Sequence, residues 1–305
     1  MKILEDFLRP TQKQLFKRLC KHFKGKTLIS KGNFILVYGQ APIMLVAHLD
    51  TVHEKPVHDI CISADGNILM SPQGIGGDDR CGVFALVKIF HAAQIKPWLL
   101  FTTDEEIGGI GAKAFCRSHK QHQLPKEVDS LKFIVELDRR GVNDAVFYRC
   151  ANKDFETYIT GKGFKFAQGS FSDISLIAPE LGVAAVNLSS GYYHAHTLHE
   201  FINRKELDGT IGKVVDIIND AAKLPRFKYV ESIQPIEPRK LIQRDDSIYL
   251  PRRVPTDLRD IYDILLDFYS SAELESFREE FGDHILWQIY NDEVAPFYYE
   301  YFSQK

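Results

Sequence analysis

The feature that most constrains this chain is an apolar run that ends in acids or histidines, repeated several times. Ile43 to Ala47 is apolar throughout, reads as a buried strand, and runs into His48-Leu49-Asp50. Side chains repeat every second residue along a strand, so His48 and Asp50 emerge on one face where it ends. One suits a metal, and the other suits holding the ring or supporting the site. The event recurs when Trp98 to Thr103 runs into Asp104-Glu105-Glu106 and when Phe133 to Leu137 runs into Asp138. A fourth run, Gly182 to Leu188, leads to Tyr192, Tyr193, His194, His196 and His199.

Between these runs lie helical patterns. Residues 3 to 24 carry Leu4, Phe7, Leu8, Leu15, Phe16, Leu19 and Phe23 at helical spacing, interrupted at Pro10, with Thr11 as N-cap of the longer part. Thr27–Ser30 and Phe34–Tyr38 read as an edge hairpin, and Asp59 to Met70 as another turning at Asp65-Gly66. Val83 to Phe90 and Lys205 to Leu224 read as helices. Strands alternating with helices predict an α/β fold, a three-layer α/β/α sandwich around a mixed, mostly parallel sheet. Ligands in such sheets bind outside the carboxyl ends of the strands, where the acids gather. The expected division is a catalytic domain over 1–224 and a C-terminal extension over 225–305. Four prolines between 226 and 255 predict an extended connection, and Thr256 caps helices that fill the rest, with the aromatic run Phe297–Phe302 as packing or a partner surface.

Composition removes several classes of function. Hydrophobic residues at 45% and charged residues at 26% are those of a soluble globular protein. A net charge of −3 gives no electrostatic case for nucleic acid or an anionic membrane. No apolar run approaches the roughly 18 residues of a membrane span, and the N-terminus has charges where a leader needs its apolar core. Five scattered cysteines without a Cys-x-x-Cys pair suit reduced thiols and a cytoplasmic setting.

The glycine-rich stretch Gly74 to Gly82 is not a phosphate loop, because no Gly-Lys-Ser/Thr follows and Asp78-Asp79 would repel phosphate. Two aspartates opening a helix suit either a cation or simple capping. Three acids after a buried strand, Asp104 to Glu106, are costly unless solvated or bound to a metal. Taken together the pieces are what a two-metal hydrolytic site needs, nitrogen and oxygen donors with a carboxylate to share and one to spare as base.

At these motifs the sequence resembles the dinuclear zinc exopeptidase superfamily, which includes peptidase T, carboxypeptidase G, the aminoacylases and zinc aminopeptidases. The motifs run from His48-Leu49-Asp50-Thr51-Val52 through Gly77-Asp78-Asp79, Thr103-Asp104-Glu105-Glu106 and Leu137-Asp138 to His196-Thr197-Leu198-His199-Glu200, over about residues 40 to 204. The resemblance implies that Asp78 bridges two zinc ions, with a cis peptide bond to Asp79. His48 and Asp138 complete one site, Glu106 and His196 the other, and Asp50 orients His48. Glu105 is then the general base acting on a metal-activated water. His194, two residues before His196, is the alternative ligand, and His194, Tyr192 or Tyr193 is a candidate donor to the oxyanion or the substrate.

Several members insert a dimerisation domain of about a hundred residues between the last two motifs. Here only 57 residues separate Asp138 from His196, which leaves no room for one. Ser172-Asp173 within that span is either a helix start or a contact for a substrate amino group. The expectation is a two-zinc aminopeptidase on short peptides, with Co2+ or Mn2+ as alternative metals. A deacylase or amidase of a small N-acylated amino acid is the second reading, and a non-catalytic metal-binding or interaction protein the third. Monomer and oligomer are both compatible with it.

Overall fold

Pro10 divides the N-terminal helical pattern in two, because its ring cannot continue a helix. In the computed structural model, residues 3–30, 32–53, 55–169, 171–232, 258–265, 274–275, 277–278 and 282–290 are described. Helix α1 (Glu5–Leu8) stops at the proline, and α2 (Gln12–His22) restarts behind Thr11. The Thr11 hydroxyl accepts from Gln14 N while the Gln14 side chain accepts from Thr11 N, a capping box that satisfies two end groups at once. The chain continues through β1 (Thr27–Ser30), β2 (Phe34–Val37), β3 (Ile43–His48), β4 (Cys61–Ile62), β5 (Ile68–Met70) and α3 (Gly77–Ala92). Then follow β6 (Trp98–Thr102), α4 (Ile110–Lys120), β7 (Phe133–Arg139), β8 (Asp144–Val146), α5 (Lys153–Gly161), β9 (Lys165–Ala167) and α6 (Ile174–Leu181). The unit closes with β10 (Ala185–Ser189), β11 (Tyr192–Tyr193), β12 (Phe201–Asn203) and α7 (Arg204–Ala221).

Eight strands form the central sheet in the order β1-β2-β6-β3-β7-β10-β8-β9. Its middle, β6-β3-β7-β10, is parallel, and the β1–β2 hairpin joins it antiparallel at one edge. The four expected runs are therefore neighbours, and their carboxyl ends open onto one rim. Their residues are buried on both faces, as a parallel sheet covered by helices requires. One apolar layer joins Leu15, Phe84, Val135 and Val214, packing α2, α3 and α7 on one side. The other joins Phe34, Phe115, Ile134 and Ile177, packing α4 and α6 on the opposite side. The three-layer α/β/α expectation is met.

Two details differ from the sequence expectation. The stretch Asp59 to Met70 does form a hairpin, but it belongs to a second sheet, β11-β12-β5-β4, which carries the chain from the rim back to the histidine loop. Helix α3 starts at Gly77, earlier than the apolar run suggests, although Asp78 and Asp79 keep non-helical dihedrals and the regular helix follows them. Gly82 lets this helix lie against β7, since a Cβ there would collide with the Leu137 carbonyl and the Asp79 carboxylate.

The chain divides into two units, Met1–Ile233 and Gln234–Lys305. Residues 226–232, expected to begin the extension, are bonded to the first unit through the bridges Val183–Lys228 and Cys150–Glu231. Phe227 draws them in by packing among Phe133, Phe155 and Tyr158. In the second unit, α8 (Leu258–Leu265) and α9 (His284–Ile289) are described, with Ile261, Leu265, Leu274, Leu286 and Tyr290 buried together. The extended connection after 232, the Thr256 cap and the Phe297–Phe302 run lie outside the described residues. Among the described residues no helix is long and apolar enough to cross a membrane.

Candidate metal centre

Each strand end contributes one part of the site. His48 closes β3 with its ring buried, and Asp50 follows at the spacing that returns to the same face. Asp50 Oδ1 lies 3.2 Å from His48 Nδ1, which leaves Nε2 facing Asp78 Oδ1 at 3.2 Å and Asp138 Oδ1 at 3.5 Å. Asp50 has a second task. Its two oxygens accept from Glu105 N at 3.1 Å and Glu106 N at 3.0 Å, so one carboxylate aligns both the His48 ring and the loop after β6. That loop must turn sharply to send adjacent acids in different directions, and Asp104 makes the turn with a left-handed φ of +56°.

Asp78 stands at the start of α3, with a cis peptide bond to Asp79. Its Oδ2 lies 3.4 Å from His196 Nε2, and the same His196 nitrogen lies 3.1 Å from Glu106 Oε2. Asp79 points away from the rim and is fully buried, accepting from His48 N at 3.2 Å and Gly82 N at 3.0 Å. Glu200 is also fully buried. It accepts from Gly76 N and Asp78 N, both at 2.9 Å, and pairs with His53 Nε2 at 3.0 Å. Asp138 is held by Asn187, whose side chain accepts from Asp138 N and donates to Asp138 O, each at 2.9 Å.

Among the described residues, three sets of donor atoms come within 4.8 Å of one another: His48, Asp78 and Asp138; His48, Glu105 and Glu106; Asp78, Glu106 and His196. Every one of the expected metal-site residues is in this cluster. Of the two histidines left open by the sequence, His196 is the one brought in. His194 leans on the Phe201 ring instead and is in none of the three sets. The tyrosines also part ways. Tyr192 is buried and its hydroxyl donates to Asp138 Oδ1 at 3.3 Å, whereas Tyr193 stacks on Phe201 and donates to Glu206 at 2.6 Å, away from the cluster.

The electrostatics are those of too many acids for the bases present. Burial pushes the Asp138 carboxyl up to about 7, with Asp78 adding to it. Burial likewise raises Glu105 well above the carboxylate range, reinforced by Asp138, Asp173 and Glu106. Burial opposes the charge on His48, yet its hydrogen bonds to Asp138 and Asp50 hold the imidazolium well above its ordinary value. Hydrogen bonds donated to Asp78 and Glu106 push His196 up to about 11. Asp78 moves the other way: burial raises it, but the bonds to His196 and His48 lower it further. Metal binding deprotonates such ligands, so a divalent cation there would relieve this crowding of acids. Glu106 Oε1 is buried and has no hydrogen-bond partner among the described residues. Nitrogen and oxygen donors with excess negative charge and a spare lone pair fit zinc.

Several supporting residues escaped the sequence reading. Glu136 sits in the middle of β7, fully buried, bonded to the Ser172 hydroxyl, while Asp173 accepts from Thr102. Of the two readings of Ser172-Asp173 the helix start holds, since α6 begins directly after Asp173, although Asp173 makes no side-chain cap bond and neither buried side chain is open to a substrate. The signal for this layer was an acid inside an apolar strand, two residues before Asp138 and hence on its face.

The sequence model of peptidase family M28 matches residues 33–175. A search of curated proteins returns no match. Among solved structures, aminopeptidase PepT from Bacillus cereus is similar at 16% identity and TM-score 0.54, covering 72% of this chain and 98% of that one. A tripeptidase from Staphylococcus aureus is similar at 15% identity and TM-score 0.54, covering 72% and 97%. An aminopeptidase from the archaeon Desulfurococcus kamchatkensis reaches TM-score 0.56 at 14% identity, covering 72% and 94%. At such identities the likeness to the solved structures speaks for the fold, and the family match speaks for the chemistry. Residues 33–175 thus match peptidase family M28, which supports a metal-dependent peptidase on the fold of these aminopeptidases.

Proposed function

We propose that the chain is an aminopeptidase that uses two zinc ions to remove residues from short peptides. One observation carries the reading: Asp78 turns one carboxylate oxygen to His48 and the other to His196, so a single side chain belongs to two donor sets. His48, Asp78 and Asp138 would hold one ion, and Asp78, Glu106 and His196 the other. Zinc bound there supplies a Lewis acid for the scissile carbonyl and brings the pKa of water toward neutrality.

The protein's own groups do the rest. Glu105 takes the proton from the attacking water at a carboxylate oxygen and returns it to the leaving amine. A base buried among other acids holds that proton more firmly than an exposed carboxylate, which suits it to both halves of the transfer. Asp50 keeps Glu105 and Glu106 apart through their backbone amides and fixes the tautomer of His48. Tyr192 steadies Asp138 and is not free for the oxyanion; His194, exposed beside His196, is the remaining candidate for that contact. We assign this work to the first unit and treat residues 234–305 as an appended module.

The test has three arms. Elemental mass spectrometry on zinc-dialysed protein should give close to two ions per chain. A short peptide with a free N-terminus should be cleaved, and its acetylated form should not; cleavage of the acetylated form alone would support the deacylase reading. Glu105→Gln should keep both ions and lose 10²–10⁴-fold in kcat, the usual worth of a general base. Near wild-type turnover in that variant would overturn the role given to Glu105.

A further inference from the structure

The loop that carries Glu105 and Glu106 is held from two sides. Asp50 supplies one side. The other comes from Gln12, at the start of α2, whose Oε1 accepts from Asp104 N at 3.1 Å and whose Nε2 donates to Asp104 Oδ1 at 2.7 Å. Asp104 is the left-handed residue that aims the two acids apart, a conformation that L side chains adopt at a cost unless neighbours enforce it. Its carbonyl is also taken, by Ile110 N at 3.0 Å.

Gln12 reaches Asp104 from a rigid base. The capping box fixes the first turn of α2, and Leu15 and Leu19 bury the helix in the core. Just before it, Arg80 Nη1 donates to Phe7 O at 2.9 Å and Pro10 O at 2.8 Å, and Phe7 packs edge-on against Phe84 at 5.4 Å. Arg80 follows the Asp78-Asp79 pair directly. The short segment from Phe7 to Gln12 therefore touches both acid-bearing loops, and it lies ahead of residue 33, where the family match begins.

We propose that Gln12 is a positioning residue that sets where Glu105 and Glu106 stand relative to Asp78, making the N-terminal helices part of the catalytic apparatus. This rests on the reading of Glu105 as base and Glu106 as ligand. Support for a metal-site loop of this kind is commonly worth 10–100-fold in metal affinity or activity.

The test compares Gln12→Ala with Gln12→Met, which keeps the volume but makes neither hydrogen bond. Both should speed amide hydrogen exchange at Asp104 to Glu106 at least tenfold in metal-stripped protein. Both should weaken one of two zinc ions about tenfold in chelator competition, and lower kcat ten- to a hundredfold with KM within threefold. Wild-type behaviour in Gln12→Met with loss in Gln12→Ala would mean that packing matters and the bonds do not, which overturns the proposal. Unchanged exchange in both variants also overturns it. The exchange arm needs neither zinc nor substrate, so it stands apart from failure of the aminopeptidase reading, which wild-type metal content and turnover would expose.

Discussion

Replacing Glu200 tests how the bridging aspartate is held. Its carboxylate is fully buried and serves three donors, Gly76 N, Asp78 N and His53 Nε2. Truncation in Glu200→Ala strips all three, and each buried donor left without a partner costs about 1–3 kcal/mol. Part of this returns, because burial raises the Glu200 carboxyl above its ordinary range and so the charge is itself costly to keep inside. The expected net loss is about 3–5 kcal/mol, in line with breaking a buried charged pair. Glu200→Gln sheds the charge and keeps one oxygen, enough for one of the two loop amides, so about 1–2 kcal/mol is expected. His53→Ala removes one bond, worth about 1 kcal/mol. Urea unfolding of metal-stripped protein measures the series, with unchanged m-values required for the comparison. Removing metal first keeps ligand linkage out of the numbers. Zinc affinity should fall about tenfold in Glu200→Ala, since the Asp78 backbone loses its anchor. A loss below about 1 kcal/mol in Glu200→Ala, with zinc affinity intact, would refute the reasoning and show that the Gly74–Asp78 loop is held by other contacts.

Other expectations follow from the same contacts. Asp173 has its carboxyl pushed up to about 6, chiefly by burial, against an ordinary 3.8. A raised carboxyl contributes fully below the unfolded pKa and loses that contribution as pH rises through the folded one, here about 3 kcal/mol between pH 4 and 7. Asp173→Asn should therefore gain on the wild type over that window, and a stability difference that does not change with pH would contradict the assignment. Gly82→Ala should cost about 1–3 kcal/mol and lower the melting temperature, because the new Cβ meets the Leu137 carbonyl and the Asp79 carboxylate. Chelation should lower the melting temperature and zinc restore it, by about 2.7 kcal/mol when zinc is a hundredfold above its Kd. Since metal must displace protons held at His196 and Asp138, apparent zinc affinity should climb with pH through neutrality. A pH-independent affinity by competition titration would count against these ligands.

The sheet and the acid cluster were legible because their signals are local. An apolar run with His48 and Asp50 at its end states both a strand and the face on which the side chains emerge. The same holds for Asp138 and for the acids after Thr103. What stayed hidden depends on distant partners. Strands β8 and β9 have three residues each and exist by pairing with β10 and with one another. Tyr192 and Tyr193 look alike in sequence, but β11 alternation sends one hydroxyl to Asp138 and the other to Glu206. The choice between His194 and His196 rests on two left-handed residues in one loop, which no spacing rule reveals. Gln12 was invisible as a site residue because 92 positions separate it from Asp104.

The donors of the cluster are spread along the chain from His48 to His196, and the buried anchor Glu200 comes last. A ribosome adding about 5–20 residues each second needs on the order of 3–12 s to pass from Asp138 to His196. Through that interval the emerging polypeptide carries four of the five proposed ligands and lacks His196. On the proposed function, hydrolytic capacity would be withheld until the last motif is threaded into place, and a fragment broken off before it would be inert. Chain order would then act as a delay, completing the proposed metal centre only when its final donor emerges.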